Sequence, residues 1–183
     1  MNEVRNVGSI VLGGGCFWCL EAVFDLVPGV ESVVSGYSGG HANNPTYEEV
    51  CSGITGHAEV IQVSYDLEVI KLQEILEIFF SLHDPTTLNR QGPDTGTQYR
   101  SIAFFNTEEE RSLIDNLIKE INSRGPWEED VVTEVVPANT FFIAEEEHQK
   151  YYVRNRYAPY CQIMIDPKVE KFQTRTLSHL SKS

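Results

Sequence analysis

Apolar and polar residues change their period several times along this chain. Ser9–Leu12 is a short apolar run that reads as a buried strand, and the glycines after it release the chain into a helix over about Cys16–Leu26. Val30–Tyr37 is a second strand, ending in the turn-rich "GYSGGHANNPTY". Glu59–Tyr65, "EVIQVSY", alternates at period two, the mark of a strand with one buried face. Val69–Leu82 then places Ile70, Leu72, Ile75, Leu76, Ile78, Phe79 and Leu82 at helical spacing. His83–Gln98 has no period and many turn residues, and a loop of that length in a compact domain is more often functional than idle. "YRSIAFF" is a further strand, Thr107 and Glu110 are spaced for the capping box of another helix, Val131–Val136 reads as a strand and Ala144–Arg154 as a helix. The stretch after Pro167 is polar and is expected to be loosely held. Strands and helices alternate here without strict βαβ repetition, which predicts an α+β sandwich with helices on a mostly antiparallel or mixed sheet.

No repeat, linker or low-complexity tract divides the 183 residues, so residues 1–183 are expected to form one domain. Lys and Arg number 14 against 27 Asp and Glu, a net charge of −13. Such a balance disfavours phosphate backbones and anionic membranes, and nucleic acid and membrane are both set aside as partners. "MNEVRNVGS" has neither a basic nor an apolar leader pattern, so the expected location is cytoplasmic. The sequence leaves the oligomeric state undetermined, with a monomer favoured. The four cysteines, Cys16, Cys19, Cys51 and Cys161, are too scattered for a disulfide framework. In a reducing compartment they are catalytic, metal-binding or inert.

Cys16 falls where a helix begins. Free backbone N–H groups and the helix dipole there favour the thiolate, by about 0.3–1 kcal/mol when exposed and up to roughly 2 at best. That is worth up to ~1.5 units below a reference near 8.5, enough to ionise Cys16 substantially near neutral pH. Gly15 and its neighbours allow unusual backbone angles and close approach of a substrate. "GGGCFW" fits neither the dinucleotide fingerprint nor the P-loop. Phe17 and Trp18 point in different directions at a helix start, so one or both can line an apolar concavity beside the sulfur; a place in the core is equally consistent. Tyr47, Cys51, His57 and Glu59 crowd one polar stretch, and Asp94, Gln98, Tyr99 and Arg100 another. Glu59 opens a strand, where a pocket edge would raise its pKa and suit a general acid, whereas a solvated strand end would not. Spacing alone does not decide between these.

"GGGCFWCLEAVF", "GYSGGHANNPTYEEVCSGITGHAEV" and "LHDPTTLNRQGPDTGTQYRSIAFF" resemble, in order, the characteristic blocks of the A-type methionine sulfoxide reductases, the peptide-methionine (S)-S-oxide reductases. The resemblance runs from about Ser9 to Tyr160. It implies an α/β sandwich with a ferredoxin-like core and a central mixed sheet flanked by helices. It also implies a reaction without metal or organic cofactor, in which Cys16 attacks the sulfoxide sulfur of protein-bound or free methionine sulfoxide. Phe17 and Trp18 would hold the methyl group, with Gly15 beside them. Glu59 would protonate the leaving oxygen, Tyr47 and Tyr99 would donate hydrogen bonds to it, and Asp94 would support the site. The products would be methionine and a sulfenic acid on Cys16, resolved by a disulfide and recycled by thioredoxin.

The chain departs from a common family pattern at the recycling step. Cys19 stands where many members have glycine, and "YCQIMIDPKVEKF" carries only Cys161 where a tail with two cysteines is usual. Cys161, followed by the polar tail 162–183, matches the first recycling cysteine and is the favoured resolving residue; Cys19, three residues from Cys16 on the same helix face, is the alternative. Cys51 is taken as structural. A thioredoxin-like CxxC disulfide oxidoreductase is the nearest rival. A zinc module built on Cys16, Cys19 and two of Cys51, His57 and Cys161 is the rival from another class. The acidic "EEEHQ" around His148 could suggest another metal site, but a solvated helix face is the favoured reading.

Overall fold

The computed structural model describes residues 4–180. In chain order the strands are β1 (Val7–Gly13), β2 (Val30–Ser38), β3 (Ala58–Asp66), β4 (Arg90–Gln91), β5 (Asp94–Thr95), β6 (Ile102–Phe105), β7 (Glu134–Pro137) and β8 (Phe142–Ile143). The α-helices are α1 (Phe17–Phe24), α2 (Tyr47–Cys51), α3 (Leu72–Leu82), α4 (Glu108–Arg124), α5 (Tyr151–Arg154) and α6 (Asp166–Leu180). Six strands form one sheet in the order β7-β6-β1-β3-β2-β8. All neighbours are antiparallel except β6 and β7, which makes the sheet mixed. The series β1-α1-β2-β3-α3-β6, with its strands in the order β6-β1-β3-β2, is the expected ferredoxin-like core.

The period-two rule sets what each face carries. Ile61, Val63 and Tyr65 of β3 join Ile10 and Leu12 of β1 in the large core beneath the helices. Ala58 and Val60 point the other way, into a small cluster with Ile102, Phe104 and Val11. Glu59 is in register with Ile61 and Val63, so the alternation that buries the valines and isoleucines also carries this carboxyl under the helices. Gly13 stands where β1 comes closest to β3: a Cβ there would lie 2.8 Å from the Glu59 carbonyl oxygen.

Three elements differ from the pattern reading. The expected helix over Ala144–Arg154 is broken into a 3₁₀ turn (Glu146–His148) and the short α5, because Lys150 sits between them in the left-handed region at φ 54°. The stretch after Pro167 is part of α6 as far as Leu180 rather than a loose tail, residues 181–183 lying outside the described residues, and Ile165 and Val169 are buried against the body of the protein. Its polarity is that of a helix with one apolar stripe, which a short window does not reveal. The chain also forms α2, started by a capping box between Thr46 and Glu49. At α4 the Thr107 hydroxyl accepts from the Glu110 N–H as expected, but the Glu110 carboxylate reaches back to Asn106 instead.

His83 ties α3 to the sheet. Its Nδ1–H donates to the Phe79 carbonyl at 2.8 Å, and its Nε2 lies 2.7 Å from the Ser101 hydroxyl, which in turn meets Thr133. Burial pushes its pKa down from 6.5 to about 4. The unfolded chain therefore takes up the proton first on acidification. The stability this neutral histidine supports is full above its unfolded pKa and is lost as pH falls toward the folded one. In urea unfolding between about pH 6 and 4.5, wild type should lose up to ~1.4 kcal/mol per pH unit more than His83→Gln. Parallel pH profiles would show that His83 titrates normally.

Candidate active site

The site is built where β1 turns into α1. Gly15 adopts φ 84°, a left-handed conformation that turns the chain sharply, and its N–H donates to the Tyr99 carbonyl at 3.1 Å. A Cβ on Gly15 would lie 2.7 Å from Cγ of Gln91, so the β4–β5 hairpin packs directly on this turn. Cys16 follows as the N-cap of α1, its side chain making no cap hydrogen bond. Its carbonyl accepts from the Cys19 N–H at 3.1 Å.

Glu59 meets the first turn of that helix. It is 1% exposed; one carboxyl oxygen accepts from the Phe17 N–H at 3.3 Å, and the other has no hydrogen-bond partner. Burial pushes its pKa up to about 8, the Phe17 N–H opposing and the charges of Asp94 and Cys19 adding to the shift. The carboxyl is thus protonated at neutral pH, with an unoccupied oxygen. Tyr47 and Tyr99 both feel the Glu59 charge, and burial first and Glu59 second push their hydroxyls far above the ordinary value. Both remain donors at any physiological pH. The Tyr47 hydroxyl also lies beside the Cys51 thiol, which draws Cys51 to the edge of the site.

The acidity of Cys16 runs opposite to expectation. The backbone at the helix start does lower its pKa, through the Trp18 N–H, but burial, the Cys19 side chain and the Glu59 charge outweigh it and push Cys16 well up. The helix dipole contributes up to roughly 2 kcal/mol, less than the desolvation of a thiolate under an apolar wall. Cys19 is the more acidic member: interaction with the Cys16 thiol brings it down to about 7 against its own burial, with Lys168 assisting.

Aromatic rings pack on Phe17 and Trp18 in the first turn of α1. Phe17 is completely buried among Tyr37, Tyr47 and His148, with ring centroids 5.8, 6.4 and 5.6 Å away. Trp18, half-buried, stacks on Tyr151 at 3.6 Å and 6° and meets the edge of Tyr160 at 5.8 Å. Asp94 is joined through a tyrosine: the Tyr160 hydroxyl donates to its carboxylate at 2.8 Å and lies 4.0 Å from the Cys19 sulfur. Cys161, next in the chain, is completely buried in a π-helical turn (Cys161–Ile165), and burial and then the nearby Cys19 raise its pKa.

Cys16, Phe17, Trp18, Cys19, Tyr47, Cys51, Glu59, Asp94, Tyr99 and Cys161 are therefore drawn to this corner; Arg100 instead donates to the Gly56 carbonyl and pairs with Glu134, and His57 also lies apart. Its Nδ1 accepts from the Gly40 N–H at 2.9 Å and its Nε2 pairs with the Ala42 carbonyl at 2.6 Å, so both nitrogens close a loop and neither is free to bind zinc. "EEEHQ" is not a solvated face: His148 is buried against Tyr47 and accepts from the Trp18 indole N–H at 3.2 Å. Glu145 accepts from the Tyr37 hydroxyl and the Tyr47 N–H at 3.0 and 2.9 Å. Pattern reading missed Tyr37, Glu145, His148, Tyr151 and Tyr160. The clustering of Tyr, His and Glu between residues 145 and 160, too polar for a core and too aromatic for a solvated face, was the available signal.

The chain matches the family model described as "Peptide methionine sulfoxide reductase" over residues 8–180. It is 53% identical over 162 residues to the peptide methionine sulfoxide reductase MsrA of Natronomonas pharaonis, covering 88% of this chain and 91% of that one. It is 55% identical over 161 residues to the MsrA of Saccharolobus solfataricus, covering 88% and 90%. Among solved structures it resembles reduced Mxr1 from Saccharomyces cerevisiae, with a TM-score of 0.79, 34% identity and 87% and 91% of the two chains aligned. The methionine sulfoxide reductase A of Corynebacterium diphtheriae gives 0.75 and 33%, over 87% and 80%. With its strand order, its cysteine at the start of α1 and its buried carboxyl, the chain belongs to the peptide methionine sulfoxide reductase family.

Proposed function

We propose that the chain reduces the S epimer of methionine sulfoxide, in proteins or as the free amino acid, with Cys16 as nucleophile and Glu59 as general acid. As the Cys16 sulfur bonds to the sulfoxide sulfur, Glu59 passes its proton to the sulfoxide oxygen and takes up the proton that the Cys16 thiol gives up. Tyr47 and Tyr99 donate to that oxygen as negative charge grows on it. The hydroxyl then passes from the methionine sulfur to the Cys16 sulfur as the bond between the two sulfurs breaks, so methionine departs with its electron pair restored and Cys16 is left as a sulfenic acid. Phe17 and Trp18 form the apolar wall for the methyl group, and Asp94 holds Tyr160 against that wall. The observation that carries the reading is Glu59: a carboxyl that is buried, protonated at neutral pH and left with one unpaired oxygen beside a cysteine at a helix start.

Cys19 is the resolving residue in this proposal. It interacts directly with Cys16 and ionises near neutral pH, whereas Cys161 is enclosed in the π turn and is influenced by Cys19 rather than by Cys16. The Cys19 thiolate attacks the sulfenic sulfur, the oxygen leaves as water after gaining a proton, and a Cys16–Cys19 disulfide closes. An external dithiol then reduces it. Thioredoxin fits this role, since a structure of yeast Mxr1 was solved in complex with Trx2.

Four outcomes are expected. Resolved epimers should separate cleanly, with turnover of S and none of R; the opposite result would overturn the assignment. Glu59→Gln, a neutral isostere that cannot give up a proton, should lose roughly 10²–10⁴-fold in turnover while keeping the fold. In wild type, activity should decline as pH rises through about 8, where the Glu59 proton is lost. In a single turnover without reductant, wild type and Cys161→Ser should each lose two thiols and Cys19→Ser one. Loss of two thiols in Cys19→Ser would assign resolution to Cys161.

A further inference from the structure

Gln98 stands next to Tyr99 and takes no part in the reaction as proposed. It is the buried residue of the 3₁₀ turn Thr97–Tyr99, 6% exposed, and its side chain crosses to α2, where Nε2–H donates to the Cys51 carbonyl at 3.3 Å. Cys51 closes α2, and the last carbonyls of a helix have no donor within it. The glutamine amide supplies one from 47 residues away in the chain. The turn makes room for it: Gly96 sits at φ 145°, and a Cβ there would lie 2.2 Å from Oε1 of Gln98. A side chain at position 96 would displace the amide.

This bond joins the two elements that carry the tyrosine donors. α2 is fixed at its start, where the Thr46–Glu49 capping box closes the first turn and the Tyr47 N–H donates to Glu145. The 3₁₀ turn, by contrast, ends an irregular stretch with glycines at positive φ at 92 and 96. Gly15 holds that turn from one side, through the Tyr99 carbonyl, and Gln98 holds it from the other. Arg100 makes a separate bridge, donating to the Thr97 and Gly56 carbonyls. The loop therefore stays attached when the glutamine amide is removed, and what is lost is its seat on α2. A donor that must stand about 2.7–3.1 Å from a growing oxyanion is sensitive to such a loss. Misplacement by about 1 Å costs on the order of 10²-fold in rate.

We infer that Gln98 is a positioning residue for the reduction step: by anchoring the 3₁₀ turn on the Cys51 carbonyl, it seats the Tyr99 hydroxyl at the sulfoxide oxygen alongside that of Tyr47. This rests on the proposed role of both tyrosines as donors to that oxygen. The charge they meet grows in the transition state, so the loss of Gln98 is felt in the chemical step rather than in substrate binding.

The test is a single-turnover measurement on a blocked methionine S-sulfoxide, recording the maximal rate of methionine formation and the half-saturating concentration separately. Two donors serve one oxygen, so each tyrosine compensates in part for the other. The clearest background is therefore Tyr47→Phe, where Tyr99 is the remaining tyrosine donor. There Gln98→Met, which keeps the length of the side chain but not its donor, should slow the maximal rate about 3- to 10-fold, the range of one hydrogen bond. The half-saturating concentration should change less than about twofold. Gln98→Asn, one methylene too short to reach Cys51, should give the same result. In Tyr99→Phe no hydroxyl is left to seat, and Gln98→Met should change neither quantity. An equal or greater loss in Tyr99→Phe, no loss in Tyr47→Phe, or a loss confined to half-saturation would overturn the positioning role and leave the donors standing. A wild-type rate in the double variant Tyr47→Phe, Tyr99→Phe would overturn the donor assignment itself.

Discussion

The carboxyl of Glu59, held under the first turn of α1, is the constraint from which most of the site follows. A carboxylate cannot be buried without compensation, and here one backbone N–H is the compensation provided. The group answers by keeping its proton. That choice propagates: a neutral acid beside Cys16 tolerates a buried thiol, lets Tyr47 and Tyr99 remain donors and leaves one buried oxygen without a hydrogen-bond partner. The burial is structural before it is chemical. Strand alternation puts residue 59 on the helix side, and Gly13 and Gly15 let β1 and its turn close over it.

Around that acid the protein assembles a wall from distant parts of the sequence. Phe17 and Trp18 come from α1, Tyr47 from α2, His148 from the 3₁₀ turn, Tyr151 from α5 and Tyr160 from the approach to the π turn. Polar contacts run behind the rings: Trp18 to His148, Tyr160 to Asp94, and Tyr37 and Tyr47 to Glu145. Each fixes an aromatic edge while leaving the faces apolar. A ring held only by stacking slides easily; one held at its edge as well keeps a shape that a small alkyl group can recognise.

Much of this was legible in the residues. The period of β3 and the break at the glycines gave the strand–turn–helix that carries Cys16, and the position of Glu59 at a strand start was enough to suspect a raised pKa. What local reading got wrong were quantities set by the tertiary environment. The dipole at Cys16 can be inferred from its place in the chain; the burial and the neighbouring thiol that outweigh it cannot. Residues 144–154 have helical composition, but the left-handed turn at Lys150 lets Glu145 and His148 face the site, and that requirement comes from packing. The apolar stripe of α6 is thin enough to pass for a polar tail until α1 is placed against it.

The closeness of Cys16 and Cys19 also bears on how the scaffold weathers repeated oxidation. In the chain-entropy picture, a disulfide across a ring of four residues stabilises a fold by about 2 kcal/mol, and one across the span from Cys16 to Cys161 by about 5. A bond of the long kind would leave oxidised and reduced enzyme with quite different resistance to unfolding, so the protein would stiffen and relax with every cycle. A bond confined to the first turn of α1 spares the rest of the chain that alternation. With the proposed Cys16–Cys19 disulfide the redox state would belong to one helical turn, and the joined and free forms would differ by about 2 kcal/mol rather than about 5.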